Sequence, residues 1–222
     1  MEDISWFHSI PFPDGTITNG AGKYSDLKAC ADLVFNFDVS GKSVLDIGAW
    51  DGFFSFEAEK RGARRVLATD YFCWEILKLK DGFDFAKKKL NSKVEELVID
   101  LPELTIDLVG RFDVVLFLGV LYHLKDPKVQ LERLLPLSND IFVIETLTAL
   151  NDLDVPAFRY IPSGSINGDV TNHFAPNILA LTAMLNDLGY SNVKHSDIPM
   201  IHDYDRVVTT INTSRDFRVH NL

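Results

Sequence analysis

Apolar residues in this chain alternate between short unbroken runs and longer stretches in which they recur every three or four positions. The runs predict strands at 43–47, 65–69, 95–99, 112–118 and 140–146; the spaced stretches predict helices near 53–61, 73–91 and 127–136, the second broken at Gly82. Such alternation predicts parallel strands joined by right-handed crossovers, with helices on both faces of an α/β, doubly wound sheet. Ahead of the first strand the chain is rich in turn formers (Pro11, Pro13, Gly15, Gly20, Gly22), and it becomes helical over 25–35. After the fifth strand, 147–171 holds Pro156, Pro162, Gly164 and Gly168 and is too long for a tight connection, so it is expected to be a functional insert. Pro176 is expected to open a helix that stops at Gly189, and 193–198 with 207–211 to close the sheet as an antiparallel pair.

The chemistry concentrates where the first strand ends, at Asp46, Gly48, Ala49, Trp50, Asp51 and Gly52. A buried strand that ends in an acid and turns through glycines into a helix lets a nucleoside ligand lie on bare backbone at the sheet's carboxyl edge. A second acid, Asp70, stands at the tip of strand two, placed to accept both hydroxyls of a ribose. A dinucleotide fingerprint would need glycines where Trp50 and Phe53 stand, so a pyrophosphate would meet an indole ring, which argues against an oxidoreductase using NAD or FAD. S-adenosylmethionine has no phosphate and suits this acidic, bulky turn.

Here the chain resembles the class I S-adenosylmethionine-dependent methyltransferases, whose first motif is a hydrophobic run followed by acid-x-Gly-x-Gly-x-Gly; Trp50 replaces the middle glycine. The resemblance implies a Rossmann-like sheet of seven strands whose last strand inserts between its neighbours. It divides the chain into a lid and helix at 1–42 and a methyltransferase domain at 43–222. It also implies that Tyr71 and Phe72 follow the ribose acid, that Asp100 and Leu101 after strand three meet the adenine, and that Leu118, Gly119 and Tyr122 after strand four line the methionine end. Asp100 equally suits a helix N-cap before Pro102. Asp126 is expected to cap a helix opened by Pro127.

Within that class, Gly119-Val120-Leu121-Tyr122-His123, Glu145-Thr146-Leu147, Arg159-Tyr160, the 172–177 run Asn-His-Phe-Ala-Pro-Asn, and Trp6-Phe7-His8-Ser9-Ile10 resemble the tRNA wobble-uridine carboxymethyltransferases and their methyltransferase relatives. Those enzymes are longer at the amino terminus. The arginine that the resemblance implies on the final strand, to hold a carboxylated cofactor, falls at about Asn212, which points to ordinary S-adenosylmethionine.

Methyl transfer needs alignment and, for some acceptors, a proton acceptor. Candidate bases are His173, His8 and His123, each with a packing role as its alternative; Trp6, Tyr24 and Phe174 are candidate walls for the substrate. His195 and His202 are assigned no role. No pair of His or Cys residues has the spacing of a metal site.

The 222 residues, 46% hydrophobic, suffice for one elaborated domain. Two cysteines and an acidic start without a signal-like apolar run imply a cytoplasmic protein. A formal net charge of -10 disfavours nucleic acid, since binding it relies on cations that neutralise phosphates. The lysines at 78, 80, 87, 88 and 89 form the one basic run, which reads as a solvated helix face or, in a tRNA enzyme, as a face completed by a homodimer. The expectation is therefore a methyltransferase acting at oxygen or nitrogen of a small molecule, with a tRNA enzyme as the alternative and a noncatalytic nucleotide-binding subunit as the alternative of another class.

Overall fold

The computed structural model describes residues 4–198 and 205–214; His202 and residues 1–3 lie outside them. The elements run α1 (Tyr24–Val34), β1 (Ser43–Ile47), α2 (Phe53–Lys60), β2 (Arg65–Asp70), α3 (Asp81–Leu90), β3 (Glu95–Val98), α4 (Ile106–Val109), β4 (Phe112–Leu118), α5 (Pro127–Leu134), β5 (Ser138–Thr148), β6 (Phe158–Tyr160), β7 (Phe174–Pro176), α6 (Ile178–Asp187), β8 (Val193–Ile198) and β9 (Asp205–Asn212). Seven strands form one sheet in the order β3-β2-β1-β4-β5-β9-β8. The first five are parallel, and β9 runs antiparallel between β5 and β8. The strand order reverses between β1 and β4, and in such sheets the crevice outside their carboxyl ends receives ligands.

Period-two alternation divides each central strand between two cores. Val44 of β1 and Val114, Leu116 and Leu118 of β4 pack with Ala31 and Val34 of α1 and with Phe53, Phe56, Phe83 and Ala86 of α2 and α3. Leu45, Ile47, Val115 and Phe117 face the other way, onto Leu131, Leu134, Leu181 and Leu185 of α5 and α6. Both faces are covered, which is why these strands read as unbroken apolar runs. Ile10 and Phe12 of the opening segment join the first core, so that segment is anchored by burial as well as by hydrogen bonds.

Several predicted boundaries move for identifiable reasons. Gly82 does not break a helix. The interruption lies earlier, where a single π-helical turn at Phe72–Ile76 gives way to Lys78 in a left-handed conformation, and Gly82 sits in the first turn of α3. A Cβ on Gly82 would come within 2.6 Å of Asp51 Oδ1, so glycine is there to let α3 approach the β1 turn. Pro176 ends β7 instead of opening α6, whose N-cap is Asn177 with its side chain accepting from Ala180 N at 2.8 Å. The same buried amide accepts from Ala157 N and donates to the carbonyls of Leu150 and Val155, stapling the insert to the helix start. The insert also carries order that its sequence hid, as β6 and β7 pair into a small antiparallel sheet. Asp126 precedes α5 but its side chain makes no cap hydrogen bond.

Candidate functional site

The turn after β1 is built from backbone that few side chains tolerate. Gly48, Trp50 and Gly52 all have positive φ, 80°, 48° and 83°. Gly48 N and Ala49 N both donate to the Thr69 carbonyl, tying the turn to β2. A Cβ on Gly48 would meet Val120 Cγ2 at 2.7 Å, so the backbone there is bare by necessity. Asp46 is buried and accepts from Ser55 Oγ at 2.6 Å, locking the strand end to α2; burial pushes its carboxyl up to about 7.

Asp70 holds the strained residue in place. Its Oδ2 accepts from Trp50 N at 3.0 Å and its Oδ1 from Cys73 N at 2.8 Å. Each oxygen thus accepts one backbone N–H, leaving lone pairs for a diol. Burial raises the Asp70 pKa, against these hydrogen bonds. The Trp50 carbonyl accepts from Trp74 Nε1 at 2.7 Å, while the Trp50 ring stacks on Phe7 at 4.0 Å with planes 8° apart. Trp50 Nε1 is buried without a partner. Tyr71 is half-buried and Phe72 exposed at the start of the π-turn. Asp100 is exposed, accepts from Leu101 N and heads a short 3₁₀ turn, and Leu101 is half-buried.

The opening segment closes over this turn. Asp51, fully buried, accepts from both Phe7 N at 2.7 Å and His8 N at 2.8 Å. Burial lifts its carboxyl to about 6, and those two donors oppose the rise. The segment is knitted internally as well: Thr18 Oγ1 donates to the His8 carbonyl and accepts from Ile10 N, and Ala21 N donates to the Phe7 carbonyl. His8 is 8% exposed, lies against Phe53 and Phe54, and burial drives its pKa down to about 3. Trp6 packs edge-on against Phe12 and Phe85, and Tyr24 edge-on against Phe53.

A second group gathers at the tips of β4, β5 and β9. Leu118 is buried at the end of β4, and Gly119 N, at φ 71°, donates to the Glu145 carbonyl. Glu145 is buried and bonded to Arg206, whose Nη2 donates to Oε2 at 2.8 Å, and the guanidinium lies 5.4 Å from the centre of the Tyr122 ring. Glu145 and Tyr122 hold the Arg206 pKa well above its ordinary value against a burial penalty. Because β9 runs antiparallel, its first residues and not its last reach the strand tips: Arg206 pairs with Leu147, whereas Asn212 pairs with Ile141 at the far end of the sheet. Of this last strand, Arg206 and not Asn212 therefore stands at the site end of the sheet. The sequence offered no signal for this beyond the single arginine in the last strand.

His123, after β4, meets the insert. Its Nδ1 lies 2.8 Å from Thr171 Oγ1, and Thr171 Oγ1 lies 2.6 Å from Asp169 Oδ1. His173 N donates to the Tyr122 carbonyl, and Phe174 packs on Phe158 and Tyr160 within the insert. The structure thus brings His123 and His173 to one turn and His8 to the Asp51 turn. Asp169, Thr171, Glu145 and Arg206 were not singled out as site residues from sequence; Thr171 meets His123 and Arg206 meets Glu145 across long stretches of chain, and Asp169 joins them only through its neighbour Thr171. Among the described residues no cluster of His, Cys, Asp and Glu could hold a metal ion, and no helix is long and apolar enough to cross a membrane.

The sequence profile of the family described as "Methyltransferase domain" matches residues 23–195. The chain belongs to that family. Its strand order is that of the class I methyltransferase sheet that its sequence resemblance implied. The chain is 28% identical over 186 residues to the tRNA U34 carboxymethyltransferase of Haemophilus influenzae (strain PittEE), covering 78% of this chain and 53% of that protein. To the enzyme of the same description from Glaesserella parasuis serovar 5 (strain SH0165) it is 30% identical over 185 residues, 78% of this chain and 52% of the other. The methyltransferase chain thus spans about half the length of these curated relatives. Among solved structures, the N-terminal domain of EvdMO1 with SAH bound superposes with a TM-score of 0.70 at 18% identity, covering 93% of this chain and 91% of that one. The Burkholderia thailandensis 1,6-didemethyltoxoflavin-N1-methyltransferase, solved with 1,6-didemethyltoxoflavin and S-adenosylhomocysteine, gives 0.63 at 18% identity, covering 86% and 79%.

Proposed function

We propose that this protein transfers the methyl group of S-adenosylmethionine to oxygen or nitrogen of a small polar molecule in the cytoplasm. The observation that carries the cofactor assignment is the Asp70 carboxylate, fixed by Trp50 N and Cys73 N beside bare backbone at Gly48. The residues fit the group: acceptor oxygens for a diol, an unpartnered indole N–H at Trp50, and acids instead of cations at the turn, which suit a sulfonium better than a pyrophosphate. Asp70 would hold the ribose, Asp100 and Leu101 the adenine side, and Gly48, Leu118, Gly119 and Tyr122 the methionine end, with Asp46 and Asp51 supporting the turn. When bound, S-adenosylmethionine supplies a methyl carbon already activated by its positive sulfur. The chain's own work is alignment and exclusion of water, a role we assign to the segment before α1, bonded to the β1 turn through Asp51, and to the 147–177 insert, bonded to the turn after β4.

The small-molecule reading draws support from charge. In the one basic run, Lys78 pairs with Glu75, Lys80 with Asp84 and Glu96, Lys87 with Glu96 and Lys89 with Asp14. Those pairs leave little positive charge there for phosphates. A second reading, a tRNA wobble-uridine enzyme, is favoured by the names of the curated relatives and by Arg206 at the site end of β9.

Calorimetry with S-adenosylhomocysteine tests the first reading. Binding in the micromolar range is expected, and Asp70→Ala should weaken it by about 1.5–3 kcal/mol, the scale of hydrogen bonds to a charged group. Absence of heat with both S-adenosylhomocysteine and S-adenosylmethionine would overturn it.

A further inference from the structure

Thr171 has one hydroxyl proton and two close partners. At 2.6 Å from Asp169 Oδ1 that proton belongs to the carboxylate, because two acceptors facing each other at this distance would repel. Thr171 N also donates to Asp169 Oδ1 at 2.8 Å, fixing the acid where the hydroxyl must point at it. The Thr171 oxygen can then only accept from His123, so the imidazole carries its proton on Nδ1 and keeps the lone pair on Nε2. The relay ties the β4 tip to the insert, and it lies beside Tyr122, whose ring centre is 4.3 Å from that of His123. Next to Thr171, the Asn172 Oδ1 is buried with no partner, as is the Thr146 hydroxyl at the end of β5.

We propose that His123 is the proton acceptor of the transfer site, that Asp169 positions it through Thr171, and that the methyl acceptor is a hydroxyl or N–H group that loses its proton on methylation. This rests on the methyl-transfer reading above. The acceptor's lone pair forms the bond to the methyl carbon, the carbon–sulfur pair stays on sulfur, and the acceptor's proton passes to Nε2. Imidazolium forms with Nδ1–H still on Thr171, so no reorientation accompanies the step, and Asp169 faces the new charge. In the resting state burial lowers the His123 pKa. Asp169 and the Thr171 backbone oppose that, while Arg206 and His173 add to it, so the net shift is downward and favours the neutral ring.

The test uses the full chain, labelled with ¹⁵N-histidine and saturated with S-adenosylhomocysteine. Long-range ¹H–¹⁵N correlation spectra, assigned by His123→Gln, should show His123 as the neutral Nδ1–H tautomer. Thr171→Ser should preserve it and Thr171→Val abolish it. Asp169→Asn should move the His123 titration to lower pH, which loss of packing alone would not do. Diethyl pyrocarbonate should modify His123 at Nε2, with a pH profile that follows the same titration. An Nε2–H tautomer in the unaltered protein, unchanged spectra in Thr171→Val, or a His123 inert to the reagent would overturn the proposal and leave a histidine that only anchors a loop. Calorimetry with S-adenosylhomocysteine separates the two failures: absent binding with the expected tautomer defeats the cofactor reading, and binding with the wrong tautomer defeats this one.

Discussion

Trp50 stands at φ 48°, where a β-carbon is normally penalised, and the surrounding contacts hold it there: its N–H on Asp70, its carbonyl on Trp74 and its ring on Phe7. One residue on, Asp51 carries the lid. Its carboxyl is raised from an ordinary value near 3.8 to about 6 by burial, so the folded protein binds its proton more tightly than the unfolded chain does. The stability contributed by that proton is complete below pH 4 and is lost as pH rises through about 6. Asparagine keeps an oxygen for Phe7 N and His8 N but cannot ionise. Asp51→Asn should therefore gain on the unaltered protein between pH 4 and pH 6 and hold the gain above, by about 3 kcal/mol on the scale of 1.36 kcal/mol per unit. Thermal melts across pH 4.5–8 would check this, and a difference independent of pH would show that Asp51 ionises freely.

At the scale of elements, the two segments that read as irregular are the ones whose tertiary contacts give them order. The 7–21 segment closes on itself because Gly20 lets two backbones meet: a Cβ there would lie 2.3 Å from the His8 carbonyl carbon, a collision no rotamer relieves. Gly20→Ala should open the segment without unfolding the sheet. The expected result is faster proteolysis within residues 4–22, with a melting temperature lowered by a few degrees, since about 1 kcal/mol corresponds to 2–4 °C for a chain of this size. Cleavage at the unaltered rate would mean that the segment closes by burial of Ile10 and Phe12 alone. The insert is held differently, by the Asn177 amide and by backbone bonds from Ile161 N to the His173 carbonyl and from His173 N to the Tyr122 carbonyl.

For the molecule as a whole the net charge of -10 and the paired lysines make the same prediction. Bulk tRNA should bind weakly at physiological salt in a gel-shift titration. Submicromolar binding with a steep salt dependence, lost when Lys87, Lys88 and Lys89 are changed together, would instead favour the tRNA reading.

The parallel strands and the turn after β1 were largely legible in the sequence, whereas the strand order was implied only by the family resemblance. Buried parallel strands must be unbroken apolar runs, and a strand that ends Asp-x-Gly needs few other residues to define its turn, so β1, β2, β4 and Asp46, Gly48 and Asp70 follow from local pattern. What the sequence could not determine is contact between distant segments. Gly82 looked like a helix breaker because its reason for being glycine, the Asp51 carboxyl, lies in another turn. Arg206 went unnoticed because only antiparallel insertion of β9 decides which end of that strand reaches the strand tips. The pairing of His123 with Thr171 and Asp169 arises when the insert folds back over the β4 tip, a juxtaposition that periodicity does not encode because it depends on where a long connection closes in space.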